Sequence, residues 1–334
     1  MKIAVTWCVL ACAASGAFAQ SEPGQLEDQV TATKRVFAGI GPGLRAVKLG
    51  VDGRTYVLTG TGVLIFDKQD KQAMVIGASV TASATGKDAR SAITYGQDCD
   101  VDAQGRVYVA DYGANAVEVF SAEGTLLRSI AVKAPVSVAA LTDGEVAVTT
   151  LREPRLVTIF DKNGRDVREF GDPEQFSDRA DLNRFLSIGS LAADAKDHLY
   201  YAFLYVPEPM VRQFDRNGYS QLDIEYTALD AYPEAQAVRR EIKVQEKRGS
   251  TPMFKKVMTA ATVEHANGEV WMALGNTLLH FDSEGTRMGT YQIYTPDGVR
   301  LEANTILVEP ERLLIGSDPL GIFAFDRPDK KNQP

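Results

Sequence analysis

Between Asp102 and Gly124 the chain reads DAQGRVYVADYGANAVEVFSAEG, two apolar, β-branched runs set between three turn signals. The arrangement recurs in VDGRTYVLTGTGVLIFDKQD (51–70), LTDGEVAVTTLREPRLVTIFDKNG (141–164), ADAKDHLYYAFLYVPEPMVRQFDRNG (193–218), EHANGEVWMALGNTLLHFDSEG (264–285) and VEPERLLIGSDPLGIFAFDRPD (308–329). Each unit places a turn before an apolar strand and ends a second strand at Phe66, Phe120, Phe160, Phe214, Phe281 or Phe325. These phenylalanines lie 40 to 67 residues apart, so a core of roughly 40 residues is kept while insertions vary.

A further apolar run precedes most first turns (AVKLGV, VSVAAL, MTAATV), and another follows most second turns (TLLRSIAV, RDVREFG). Four antiparallel strands per unit, repeated around an axis, make an all-β, six-bladed β-propeller with four-stranded antiparallel blades. Middle strands covered on both faces explain why YVAD and VEVF are continuously apolar. The sixth unit lacks an outermost strand, because only a short polar tail follows Phe325. ATKRVFAGIG (32–41) is an orphan strand that would close the ring from the N-terminus and leave no edge. The propeller is therefore expected over 31–329, with one helical insertion at about 226–258.

VDAQGRVYVADYGANAVEVFSAEG resembles an NHL repeat: a turn, a strand of the YVAD type, an Asn-containing loop, a strand ending in Phe and a Gly turn. The other five units match more loosely. Ala116 stands where the repeat usually carries arginine, and Arg155 falls one position early. The resemblance implies an exported bacterial six-bladed propeller of a class without a firmly assigned activity; it speaks for the fold more than for a function.

The 334 residues, 45% hydrophobic and 24% charged, suffice for a full core. Residues 1–19 read as a signal peptide: Lys2, a short apolar run, then Ala17-Phe18-Ala19 as the cleavage site. A rival reading makes Cys12 the lipidated residue of a lipoprotein box. Residues 20–30 are polar, as in a flexible leader, and no other apolar run approaches the ~20 residues of a membrane helix. A periplasmic or extracellular location follows. Losing Lys2 with the signal takes the formal charge from −8 to −9, which excludes nucleic acid as a natural partner. Of the three cysteines, Cys8 and Cys12 lie in the signal. Cys99 is left without a disulfide partner and, alternating with Asp98 and Asp100, reads as a core hydrophobe. A monomer is expected.

The short turns (VDGR, AQGR, TDGE, AKDH, ANGE, EPER and their counterparts after the third strands) fall on one side of the ring. The long insertions, about 76–97, 171–186, 226–258 and 294–303, all fall on the other. Loops on a rigid scaffold are where function concentrates, so ligand contacts are sought there: Asp98, Tyr112, Asn115, Arg152, Arg155, Arg184, Tyr205, Asn304 and Asp318. Asp111, Glu153, Arg179 and Asn276 share that side.

Some six-bladed propellers are lactonases holding calcium on the axis, for which Asp98, Asp100, Asn183, Glu302 and Asn304 are the oxygen donors available. Aspartate and asparagine are also ordinary turn residues, and none of the lactonase local motifs is present. NHL-type propellers include a zinc-dependent lyase, but His198, His265 and His280 occupy positions that do not converge. No Gly-x-Ser-x-Gly elbow or phosphate-binding glycine loop occurs.

YPEAQAVRREIKVQEKRG (232–249) predicts the one helix, with Pro233 at its start, Gly249 at its end, and Ala235, Val238, Ile242 and Gln245 on one stripe. That stripe is narrow, so the helix should rest on the loop face with Arg239, Arg240, Lys243 and Lys247 outward, as a rim element or a lid. The leading reading is an exported binding module recognising a small molecule, glycan or protein on the insertion-rich face. The alternatives are a lactonase-like hydrolase with axial calcium and a structural envelope scaffold. Polar groups converging on the axis would favour a small-molecule site.

Overall fold

The computed structural model describes residues 28–77, 93–226, 232–248 and 254–330. The expected signal peptide, the leader up to residue 27, much of the 76–97 loop and the last four residues lie outside them. Six antiparallel sheets follow one another, each built in chain order, and their first strands neighbour one another in a ring. These first strands are Leu44–Leu49, Gly96–Val101, Pro135–Ala140, Gly189–Ala193, Ala260–Val263 and Thr305–Val308, for blades 1 to 6. The protein is a six-bladed β-propeller.

Closure occurs as the orphan strand predicts. Lys34–Val36 forms the outermost strand of blade 6, antiparallel to Gly321–Asp326, with Lys34 opposite Ala324 and Val36 opposite Ile322. Phe37 then turns in with a left-handed backbone (φ 54°) and sets its ring 4.4 Å from that of Phe66. One expectation is corrected. Residues 28–30, assigned to the leader, belong to the strand Asp28–Thr31, which runs parallel to the outer strand of blade 5, Arg287–Tyr294. That eight-residue strand offers an edge, and Val30 buries its side chain there. The N-terminal segment thus fastens two blades.

Hydrophobic packing is divided into six layers, one at each blade-to-blade contact. All six unit-ending phenylalanines are buried in these layers. Cys99 is buried between blades 1 and 2, as a core hydrophobe should be. The tight turns have a repeated cause. An aspartate at the turn's start, such as Asp67, Asp161 or Asp215, accepts two backbone N–H groups, while Asp70, Gly164 or Gly218 completes the reversal at positive φ. At Gly218 (φ 90°) a Cβ would also strike the Phe170 ring.

Two helices stand on the insertion-rich side, where the sequence predicts one. α1 (Ala180–Leu186) has only seven residues and no side-chain cap at Arg179, too little periodicity to announce itself. α2 (Pro233–Arg248) coincides with the predicted helix. Its narrow stripe does more than rest: Ala235, Val238, Ile242 and Gln245 are buried, the three apolar ones in the layer between blades 4 and 5, beside Leu182 and Leu186 of α1. Arg179 ties the helices by donating to the Gln245 carbonyl at 2.8 Å. Arg239 is paired with Glu208, and Arg240, Lys243 and Lys247 are exposed. No helix among the described residues is long and apolar enough to cross a membrane.

Two consequences can be measured. A chain beginning at residue 42 should expose the edges of blades 5 and 6 and aggregate; a truncated protein that stays monomeric by size-exclusion chromatography with unchanged melting would contradict the closure. Val238→Ala should cost about 1.5–3 kcal/mol by chemical denaturation, because the side chain is wholly buried. A helix that only leans on the rim would give a negligible change.

Candidate axial site

First strands meet around the axis with one edge unpaired, so their backbone groups need partners from neighbouring blades. Side chains supply several of them. Asp98 of blade 2 accepts from Val138 N of blade 3 at 3.3 Å and from the Ser137 hydroxyl. Asp100 accepts from Ala140 N at 2.9 Å, and Ser137 Oγ from Leu191 N of blade 4 at 2.9 Å. Thr305 Oγ1 of blade 6 accepts from Val47 N of blade 1 at 3.2 Å. Blade-to-blade bonding therefore leaves the axis polar.

On the insertion-rich side the axis opens into a cavity of about 120 Å³, lined by all six blades. Its charged lining is Arg45, Lys48, Asp98 and Lys256, joined by Gln97, Ser137, Ser190 and Asn304. Burial works against the charge on Lys48, but Asp98 and Asp100 outweigh it and raise the lysine pKa above its usual value. Asp100 is itself pushed up by burial, with Lys48 opposing. Burial, with Asp98, raises the Cys99 thiol and keeps it protonated and unreactive. Lys256 stands at the mouth with part of its surface exposed. Partial desolvation there, with Arg45 beside it, lowers its pKa against the pull of Asp98. Arg45 donates from Nη2 to Tyr95 Oη at 3.0 Å and lies 5.3 Å over that ring.

The site residues expected from the sequence are distributed unevenly. Asp98 and Asn304 line the cavity. Asp318 belongs to a clasp at the rim: Asn304 Oδ1 accepts from Asp318 N, and Asp318 Oδ1 from Gly43 N at 2.9 Å. Tyr112 is half-exposed, edge-on to Tyr95 with centroids 6.3 Å apart. Tyr205 stacks near Phe185 (5.3 Å), which meets Phe254 (5.6 Å). Asn115 is occupied structurally: it takes φ 53° and its Oδ1 accepts from Ala134 N at 3.1 Å. Arg155 pairs with Asp172, fastening a blade 3 loop to the 171–186 insertion, while Arg152 is exposed. Arg184 lies away from the axial lining; it donates to the Thr150 carbonyl, its Nε and Nη1 are buried without partners, and burial lowers its pKa.

Arg45, Lys48, Ser137 and Lys256 were missed. The cations of LRAVKL stand in a first strand, which faces the axis, and that position was the available signal.

The five calcium donors do not assemble as a set: Asp98 and Asn304 share the cavity lining, and Asp100, Asn183 and Glu302 do not join them there. Asn183 spends its Oδ1 on Phe176 N and Ser177 N and its Nδ2 on Gln175 and Ser177, within the α1 insertion. Asp98 and Asp100 serve backbone amides and face Lys48. Among the described residues no three His, Cys, Asp or Glu side chains gather. The histidines stay apart in function: His198 meets Asp194 at 2.8 Å, His265 the Ala193 carbonyl at 3.3 Å, and His280 meets Glu269 at 2.8 Å while stacked on Trp271.

No family model matches the sequence, and no curated protein matches it. Solved structures do resemble it. A streptogramin B lyase superposes with a TM-score of 0.53 at 12% identity, over 87% of this chain and 85% of that one. A virginiamycin B lyase from Staphylococcus aureus gives 0.51 at 10% identity, over 88% and 98%. A gluconolactonase from Xanthomonas campestris gives 0.52 at 16% identity, over 86% and 87%. These likenesses establish the six-bladed scaffold, which in those proteins carries lyase and lactonase activities.

If Asp98 is the axial acceptor described, Asp98→Ala should cost about 1–3 kcal/mol, because Val138 N and the Ser137 hydroxyl lose their partner. Asp98→Asn, which keeps an acceptor oxygen, should cost less. Equal unfolding midpoints for both variants and the parent would contradict the assignment.

Proposed function

We propose that the protein is an exported, NHL-like propeller that holds the acidic group of a small ligand in its axial cavity. Arg45, Lys48 and Lys256 around one polar cavity carry this reading: Asp98 and Asp100 set their charge against Lys48, which leaves Arg45 and Lys256 to meet an anion. Low-dielectric walls strengthen the attraction beyond what surface lysines offer. A dry cavity of about 150 Å³ can hold a benzene ring, so this one accommodates a carboxylate or phosphate with little else. The remainder of the ligand would lie on the loop face. Export rests on the N-terminal signal pattern.

Isothermal titration with malonate, D-galacturonate and inorganic phosphate tests the reading. At least one should bind saturably, and Lys256→Met and Arg45→Met should each weaken it about tenfold. Added salt should weaken binding too, though less steeply than for surface charges. Raising the pH should weaken it further, and earlier than an ordinary lysine would, because Lys256 has a lowered pKa and attracts an anion only while protonated. Asp98→Asn should strengthen binding by removing a like charge. Failure of all three probes, or indifference to Lys256→Met, would overturn the proposal.

The likeness to a gluconolactonase scaffold favours a second reading, a lactonase-like hydrolase. Its calcium form has three axial cations against it. Calcium should leave the melting temperature unchanged; a saturable stabilisation abolished by Asp98→Asn would move the assignment to the hydrolase.

A further inference from the structure

The cavity mouth is bordered by aromatic side chains on two sides of the ring. At blades 1 and 2, Tyr95 and Tyr112 are 43% and 38% exposed, meet edge to face, and connect to the cavity through Arg45. At blades 4 and 5, Phe185, Tyr205 and Phe254 form a second, half-buried group. It adjoins the cavity through Leu204 and Lys256, whose segments are bonded together by Val257 N and Met258 N donating to the Leu204 carbonyl. In a six-membered ring these two positions face each other across the axis.

We propose that the loop face binds an acidic saccharide chain, one uronate carboxylate entering the axial cavity and the flanking sugar rings lying on the two aromatic groups. This rests on the anion site proposed above and extends it outward. Size requires an extension: the cavity takes an acidic group and little more, and the aromatic groups stand outside it on opposite sides. A ligand touching both must span the mouth. Composition selects the chemistry. Sugar rings present apolar C–H faces and hydroxyl edges, which suit the exposed faces of Tyr95 and Tyr112, whose polar edge is held by the bond from Arg45 to the Tyr95 phenol. An aryl acid would need a closed apolar slot, which the mixed lining does not offer.

The test is calorimetric titration of the full mature chain at constant ionic strength with D-galacturonate, its hexamer, neutral maltohexaose and hexaglutamate. The galacturonate hexamer should bind at least about tenfold more tightly than the monomer, and Tyr112→Ala should remove most of that gain, with Tyr112→Phe retaining it. Maltohexaose should bind far more weakly than the acidic hexamer. Equal affinities for monomer and hexamer, or a hexamer affinity indifferent to Tyr112→Ala, would overturn the saccharide assignment while leaving the anion site standing. Hexaglutamate binding as tightly as the uronate hexamer would also overturn it, in favour of an acidic peptide. Loss of monomer binding in Lys256→Met with no response of any ligand to Tyr112 would separate the two proposals, supporting only the first.

Discussion

Six strand edges facing one axis are the constraint on which the rest of the molecule depends. An inner strand is paired on its outward side alone, and its remaining N–H and C=O groups cannot be left dry without a cost comparable to a lost hydrogen bond. Asp98, Asp100, Ser137 and Thr305 answer this by reaching from one blade to the backbone of the next. The same bonds orient the blades and prevent apolar side chains from filling the centre. A polar cavity is therefore a by-product of building the ring, and the anion site proposed above rests on the cations placed on and beside its inner strands.

Stability is assembled differently at the periphery. The six apolar layers lie between blades, so each blade depends on both neighbours and a ring open between blades 6 and 1 would leave both halves of that layer uncovered. The N-terminal segment meets this need by pairing with blade 5 through Asp28–Thr31 and with blade 6 through Lys34–Val36. Phe37 then packs into the layer between blades 6 and 1. The helical insertions are bound into the layer between blades 4 and 5. That sector is also where Lys256 and the Phe185, Tyr205, Phe254 group meet the mouth.

Charge at the centre runs against the charge of the whole. The chain is acidic, with a net charge of −8, yet three of the four charged groups lining the cavity are cations. Carboxylates elsewhere are committed to turns and ion pairs: Asp67 and Asp161 to backbone amides, Glu264 and Asp329 to Arg327. The cations are thus gathered at the centre of an acidic molecule.

The strand content, the six units, the closing strand and the α2 stripe were legible because each is a local pattern: period-2 apolar runs, Asp and Gly at turns, a phenylalanine every blade, helical spacing at 235, 238, 242 and 245. The loop face was legible too, since antiparallel connectivity puts the second-to-third-strand and blade-to-blade connections on one side and the long insertions fall in these. Asp98 and Asn304 were found among the expected contacts because they precede or open inner strands. All four residues accept from backbone amides, but Asn115 and Asp318 do so outside the cavity lining, a distinction made only by their place in the ring. Arg45 and Lys48 share one inner strand of blade 1, while Lys256 lies far along the chain beside blade 5, and no motif links them; ring closure brings Lys256 to the cavity of the other two. The sequence by itself thus determined the blades and the face, through short-range periodicity. Tertiary structure decided the site, because its members come from different blades and share only the axis.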